Sequence, residues 1–275
     1  MHWWQWVAYA ALMVIVVALF DGCFRVLLHG DVSVTKLEGK RNHDTLIVYL
    51  PGLVADGEWS ARQQTDTWRD FGDVWLVNPT GDRFEHEQLA DKLAKMLQTD
   101  SQLQVVFIGS SLGADNALDV MSRLSERKRA NVEYDLVPVC TPSGGVESIK
   151  QPLKAVSVLA TAFRFGPLTD VTWGKYFTRS ITGEQPRTFA MTYYIDQVNY
   201  VRSRENPSSS QLNEFDKIVY VQAVNDELVS PSAAKAWVAS DLDVVQVNSK
   251  HVAYDADPEV WNSAFTRALN RVIKR

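Results

Sequence analysis

The sequence has little cysteine, little histidine and no surplus of positive charge, and each shortage removes a class of function. Two cysteines, Cys23 and Cys140, stand in 275 residues, too few for a disulfide framework or a thiolate-bound metal centre. Both read as packing residues. Lysine and arginine number 28 against 33 acidic residues, a formal net charge of −5. No basic excess exists to hold a phosphate backbone, and no nucleic-acid partner is expected. Internal repeats, a P-loop and a dinucleotide fingerprint are absent, and Asp70-Phe71-Gly72 repeats a kinase tripeptide without its partner motifs. His86 beside Glu87 lacks the second histidine of a zinc helix. Neither a metal nor a cofactor is expected.

One long apolar run is present. From Trp3 to Phe20 the only polar side chain besides Tyr9 is Gln5, and a stretch of this length is near the minimum that crosses a hydrocarbon core as a helix. Trp3, Trp4, Trp6 and Tyr9 gather at one end, where amphipathic rings favour the headgroup level. Residues 1–30 are therefore expected to form a single-pass membrane anchor. A cleaved signal peptide, leading to secretion, and a buried core helix are the alternatives; no Lys or Arg precedes the run and no A-x-A pattern follows it. Arg25, Lys36, Lys40 and Arg41 lie after the segment, but the side on which the globular part sits stays open.

Beyond the anchor, strand-like and helix-like segments alternate, the pattern of helices packed on both faces of a mostly parallel sheet. Strands are expected at Val32 to Leu37, Thr45 to Leu50, Val74 to Asn78, Gln104 to Ile108, Leu136 to Cys140, Ile218 to Val224 and, shorter, Val244 to Val247. Several are continuous apolar runs, which suits strands covered on both faces. Leu89, Leu93 and Leu97 recur at helical spacing, and Val260, Phe265, Leu269 and Val272 are expected to line one face of a last helix that begins after Asp257-Pro258. From about 141 to 216 the rhythm breaks and aromatics crowd in, among them Phe163, Phe165, Trp173, Tyr176 and Phe177. This span reads as an insertion in a domain covering 31–275, closed by a polar loop at Asn206 to Ser210.

The chemistry centres on Gly109-Ser110-Ser111-Leu112-Gly113. Gly-x-Ser-x-Gly alone is a weak signal, but here it follows the apolar strand Leu103 to Ile108 and opens a helix through Ala117, Leu118, Val120 and Met121. A sharp strand-to-helix turn at that point raises Ser111 over the sheet as a nucleophile, while Ser110 is off-centre in the motif. At these residues the chain resembles the α/β-hydrolase family, whose catalytic groups follow the order serine, acid, histidine. The complete histidine set is His2, His29, His43, His86 and His251. Only His251 lies downstream of Ser111, after the last short strand and before the final helix, where the resemblance implies a base.

The resemblance also implies that the insertion at about 141–216 is a helical cap, and that an aspartate lies just beyond the strand that follows it. Asp226, in Val224-Asn225-Asp226-Glu227-Leu228-Val229-Ser230-Pro231, fits it, with Glu227 the nearest substitute; Asp255 and Asp257 read as capping residues. The oxyanion hole would join the Leu112 amide to one from the loop Pro51-Gly52-Leu53-Val54, with Leu53 the chosen donor and Val54 the alternative. The expected activity is that of a carboxylesterase or lipase-like serine hydrolase acting on a small ester or lipid-like acyl substrate. An amide, peptide or thioester hydrolase on the same residues, and a catalytically dead membrane-tethered binding protein of the same fold, are the other readings.

Overall fold

Runs rich in valine, isoleucine and aromatics pair into one seven-stranded sheet, in the order β1-β3-β2-β4-β5-β6-β7. The strands are β1 (Asp31–Leu37), β2 (Thr45–Leu50), β3 (Asp73–Thr80), β4 (Gln104–Ser110), β5 (Glu133–Val139), β6 (Lys217–Ala223) and β7 (Asp243–Val247). All seven expected strands are present, with ends shifted by a few residues. The computed structural model describes residues 31–52, 57–80, 84–99, 104–127, 131–142, 205–230, 237 and 243–273, together with 3, 5, 7, 9, 11 and 12. Strand β1 runs antiparallel to β3 at the sheet edge; every other pairing is parallel. Parallel neighbours need crossovers, and these place helices on both faces.

The helices are α1 (Gly57–Ala61), α2 (Thr65–Trp68), α3 (His86–Thr99), α4 (Leu112–Leu124), α5 (Ser209–Leu212) and α6 (Pro258–Val272). Alternation along β2 divides the core. Leu46, Val48 and Leu50 join one apolar cluster with Leu89, Leu93 and Leu97 of α3 and Ala117, Leu118 and Met121 of α4. Ile47 and Tyr49 point to the opposite face, against Trp68 of α2 and Trp261, Phe265 and Leu269 of α6. Every β2 residue is buried, which explains why its sequence shows no polar alternation.

Two sequence expectations need correction. Val260 is exposed and Trp261 is fully buried, so the core stripe of α6 is Trp261, Ala264, Phe265, Ala268, Leu269 and Val272. Counting back one helical turn from Phe265 reaches 261, not 260. The stretch Asn206 to Ser210 is only partly a loop, because Ser208 caps α5: its hydroxyl accepts from the Gln211 amide while the Gln211 side chain accepts from the Ser208 amide. Just beyond, Phe215 is buried with its ring edge-on to Phe107 at 6.0 Å, so the main core begins again before β6. The remainder of the expected cap, residues 143–204, lies outside the described residues.

Most of the apolar run from Trp3 to Phe20 also lies outside them. Its described positions are helical, and Trp3, Val7, Tyr9 and Leu12 are exposed. Among the described residues no helix is long and apolar enough to cross a membrane.

At the amino-terminal end of the parallel strands, Asp135 of β5 is fully buried. Its Oδ2 accepts from the Gln104 amide group, which also donates to the Val272 carbonyl at 3.1 Å. Burial pushes the Asp135 carboxyl up from 3.8 to about 6, against the Gln104 hydrogen bond and the Lys217 charge, which both pull it down. A carboxyl raised in the folded state binds its proton more tightly there than in the unfolded chain. Folding stability therefore declines as pH rises from 3.8 through about 6. Asp135→Asn should raise the unfolding free energy at neutral pH by on the order of 1–3 kcal/mol, read as a higher urea midpoint. The gain should close as pH falls below 4. Equal midpoints across that range would show that Asp135 is an ordinary surface-like carboxylate.

Candidate active site

Strands β4, β5, β6 and β7 are parallel neighbours, so their carboxyl ends emerge along one edge, where open α/β sheets build ligand sites. Ser111 follows β4, Cys140 follows β5, Asp226 lies three residues after β6 and His251 four residues after β7. Chain order and sheet order together bring these four residues to one place.

The turn at Ser111 is shaped by backbone contact. Its φ of 51° and ψ of −120° are strained for a residue with a side chain, a cost on the order of 1–3 kcal/mol. The flanking glycines show what enforces it. A Cβ on Gly109 would sit 2.3 Å from the Ala114 Cα, and one on Gly113 would sit 2.1 Å from the Leu50 carbonyl oxygen. The turn closes only because neither atom exists. The Ser111 amide donates to the Val139 carbonyl at 2.7 Å, tying the turn to β5. Ser111 is half-buried, whereas Ser110 is fully buried with its hydroxyl bonded to the Tyr254 hydroxyl. Ser110 is therefore a structural pin between the end of β4 and the segment after His251, as its off-centre place in the motif suggests.

Leu112 heads the 13-residue helix α4. A residue in the first helical turn has no acceptor four positions back for its N–H, and the helix dipole adds positive potential there. The second expected donor, Leu53, lies outside the described residues, as does Val54. Gly52, immediately before, is described: a Cβ there would lie 3.2 Å from the Ser111 Cβ. The loop after β2 thus passes directly against the turn.

His251 and Asp226 form a buried pair, with Nδ1 of the ring 2.8 Å from Oδ2 of the carboxylate. The other carboxylate oxygen, Oδ1, accepts from the Leu228 amide at 2.9 Å and the Val229 amide at 2.8 Å. Burial alone would raise the Asp226 carboxyl, but the hydrogen bond and charge of His251 and these two amides outweigh it and hold it below the usual carboxylate range. A carboxylate on Nδ1 favours the tautomer with its proton there and leaves Nε2 as the acceptor. The neighbouring strand ends reinforce the arrangement: the Val224 amide donates to the Val247 carbonyl at 2.9 Å, and the Asn225 amide to the Ser249 carbonyl at 3.2 Å.

Glu227 does not stand in for Asp226. Its Oε2 accepts from the His251 backbone amide at 3.1 Å. Asp257 occupies the N-cap position of α6 but makes no side-chain cap bond; instead it accepts from the Ser249 hydroxyl at 2.6 Å, and that hydroxyl accepts from the Trp261 indole at 3.2 Å. Asp255 pairs with Arg62. The network from Asp257 through Ser249 to Trp261 locks the loop that carries His251.

The sequence reading of Cys140 as a packing residue is incomplete. Its Sγ, a carboxylate oxygen of Asp226 and a ring nitrogen of His251 lie within 4.8 Å of one another. Among the described residues this is the grouping with the composition of a metal site, but Asp226 and His251 are already hydrogen-bonded to each other. The overlooked signal was positional, since Cys140 ends a parallel strand just as Ser111 does.

No protein-family model matches the chain, and no curated protein does. Solved structures do. A hydrolase from Pseudomonas aeruginosa aligns over 87% of this chain and 94% of its own, with a TM-score of 0.59 at 12% identity. The enol-lactonase from Burkholderia xenovorans aligns over 88% and 97%, also at 0.59 and 12%. A lipase-esterase related protein from Clostridium acetobutylicum aligns over 86% and 99%, at 0.60 and 10%. Such low identity carries information about architecture alone, and the architecture these proteins share with this chain is the α/β-hydrolase fold.

Proposed function

We propose that this chain is a serine hydrolase that cleaves carboxylic esters. The observation that carries the reading is the buried Asp226–His251 pair at the strand ends beside the strained Ser111 turn. In the proposed reaction the Ser111 hydroxyl oxygen attacks the carbonyl carbon while His251 Nε2 takes its proton. Asp226 holds the ring and stabilises the imidazolium. The developing oxyanion is met by the Leu112 amide and by a donor from the loop after Gly52, for which Leu53 is the candidate. Collapse of the tetrahedral intermediate expels the alkoxide, which takes the proton from His251 and leaves an acyl-serine. Water, deprotonated by the same ring, then attacks the acyl carbon; the bond from that carbon to Ser111 Oγ breaks, the acid leaves, and His251 returns the proton to Ser111 Oγ.

Two features support an apolar acyl substrate: the aromatic-rich sequence of residues 141–216 and the exposed apolar side chains of the helical N-terminal positions. We further propose that the N-terminal segment tethers the enzyme to a membrane, which would bring lipid-like esters to it.

Full-length protein in detergent should react covalently with a fluorophosphonate probe, and both Ser111→Ala and His251→Ala should abolish the reaction. Asp226→Asn should slow it by roughly 10²–10⁴-fold through the wrong ring tautomer. A folded wild-type protein that never labels contradicts the proposal. In a substrate panel, nitrophenyl esters should be turned over ahead of peptide anilides, and activity confined to anilides would transfer the assignment to amide cleavage. For the tether, the full chain should stay with membranes through an alkaline wash and leave them in detergent; recovery in the wash would count against it.

A further inference from the structure

Three non-glycine residues among those described have positive φ: Ser111 at 51°, Cys140 at 48° and Val252 at 45°. Backbone strain of this kind persists where the surroundings over-determine it, and it gathers at functional sites. The nucleophile turn accounts for the first. The other two meet at one sulfur atom.

Cys140 Sγ is a junction. It accepts from the Ala223 amide at 3.3 Å, at the end of β6, and from the Val252 amide, next to His251. On its remaining side lies the Asp226 carboxylate, one oxygen of which is within 4.8 Å of Sγ and whose charge acts on the thiol. Meanwhile the Cys140 amide donates to the Val221 carbonyl at 2.9 Å, so both its backbone and its side chain are anchored to β6. A thiol has one proton to donate and lone pairs to accept with; amides meet the lone pairs, and the Asp226 carboxylate is the acceptor at hand for the proton. Burial first, and the Asp226 charge second, push the thiol well above its ordinary range, so it remains protonated and can donate.

We propose that Cys140 is a positioning residue: its S–H donates to the Asp226 carboxylate and, clamped by the Ala223 and Val252 amides, it fixes that carboxylate against His251. This role rests on the reading of Ser111, His251 and Asp226 as a catalytic set. The contact spreads the Asp226 charge over a fourth hydrogen bond, beside those from His251, Leu228 and Val229, and so moderates how strongly the carboxylate stabilises the imidazolium. The other titratable groups around the cluster are Glu227, on the His251 amide, Tyr220, bonded through its hydroxyl to Thr141, and Asp115 at the start of α4, whose charge acts on Tyr220. All remain in place when Cys140 alone is changed.

The experiment measures the pH dependence of fluorophosphonate labelling for full-length wild type, Cys140→Ala and Cys140→Ser, with Cys23→Ser in every protein so that Cys140 is the one thiol. Removing the donor should strengthen the hold of Asp226 on the imidazolium and move the acidic limb upward by roughly half a pH unit. The serine hydroxyl, with the same donor and acceptor capacity, should return it to the wild-type position. A limb that stays put in Cys140→Ala, or one that serine fails to restore, overturns the positioning role. Infrared spectroscopy of the Cys23→Ser protein tests the bond without altering the site. The Cys140 S–H stretch should lie below that of an aqueous cysteine thiol, and a band at the aqueous position would refute it even if the alanine variant fails to fold. Absence of all labelling in folded wild type would sink the catalytic reading itself, whereas normal wild-type labelling with an unmoved limb sinks only the part assigned to Cys140.

Discussion

Backbone-on-backbone contact at the end of β4 is the constraint on which the rest of the site depends. Helix α4 crosses the end of β2 so closely that a methyl group on Gly113 would overlap the Leu50 carbonyl. The chain then has to reverse within one residue, and that residue is Ser111, forced to positive φ. Packing against one face of the sheet holds α4 in place through Ala117, Leu118 and Met121. The apolar core therefore supplies the force that keeps a strained serine at the head of a helix, beside the helix dipole and an amide without an intrahelical acceptor.

Two buried aspartates show how position along the sheet decides chemistry. Asp135, at the amino-terminal end of β5, has one side-chain donor, Gln104, and its Oδ1 has no partner among the described residues; burial prevails and its carboxyl rises. Asp226, beyond the carboxyl end of β6, meets two amides on one oxygen and a histidine on the other; the donors prevail and its carboxyl falls. Burial opposes ionisation in both, so the difference lies in the number and kind of donors. Parallel strands followed by turns expose consecutive amides at their carboxyl ends, and a loop there can wrap an aspartate as Leu228 and Val229 do.

The sheet was largely legible from the sequence because its strands are apolar on both faces and nothing else competes for such runs. Thr45–Leu50 was readable to the residue. The expectation that Asp226 orients His251 comes from the family resemblance; the structure places the two side chains 2.8 Å apart. Other features were hidden for physical reasons. Trp261 was missed because Val260 occupies an adjacent apolar position, and only the helical angle separates the two. Ser208 was read as loop, since a capping box of a four-residue helix leaves no periodic stretch to detect. Cys140 looked like filler because a buried cysteine resembles any small apolar residue until its neighbours from β6 and the His251 loop are known. Leu53 and the bulk of the 141–216 segment lie outside the described residues.

The central claim is that Ser111, and not its neighbour Ser110, carries the acyl group. Intact mass spectrometry of full-length protein quenched at acid pH during turnover of a nitrophenyl ester tests this most directly, followed by peptide mapping. The account predicts one acyl group per chain, on the Ser111 side chain, absent in Ser111→Ala and removed on standing at neutral pH. Turnover with no adduct under any quench, or an adduct on Ser110, would contradict it.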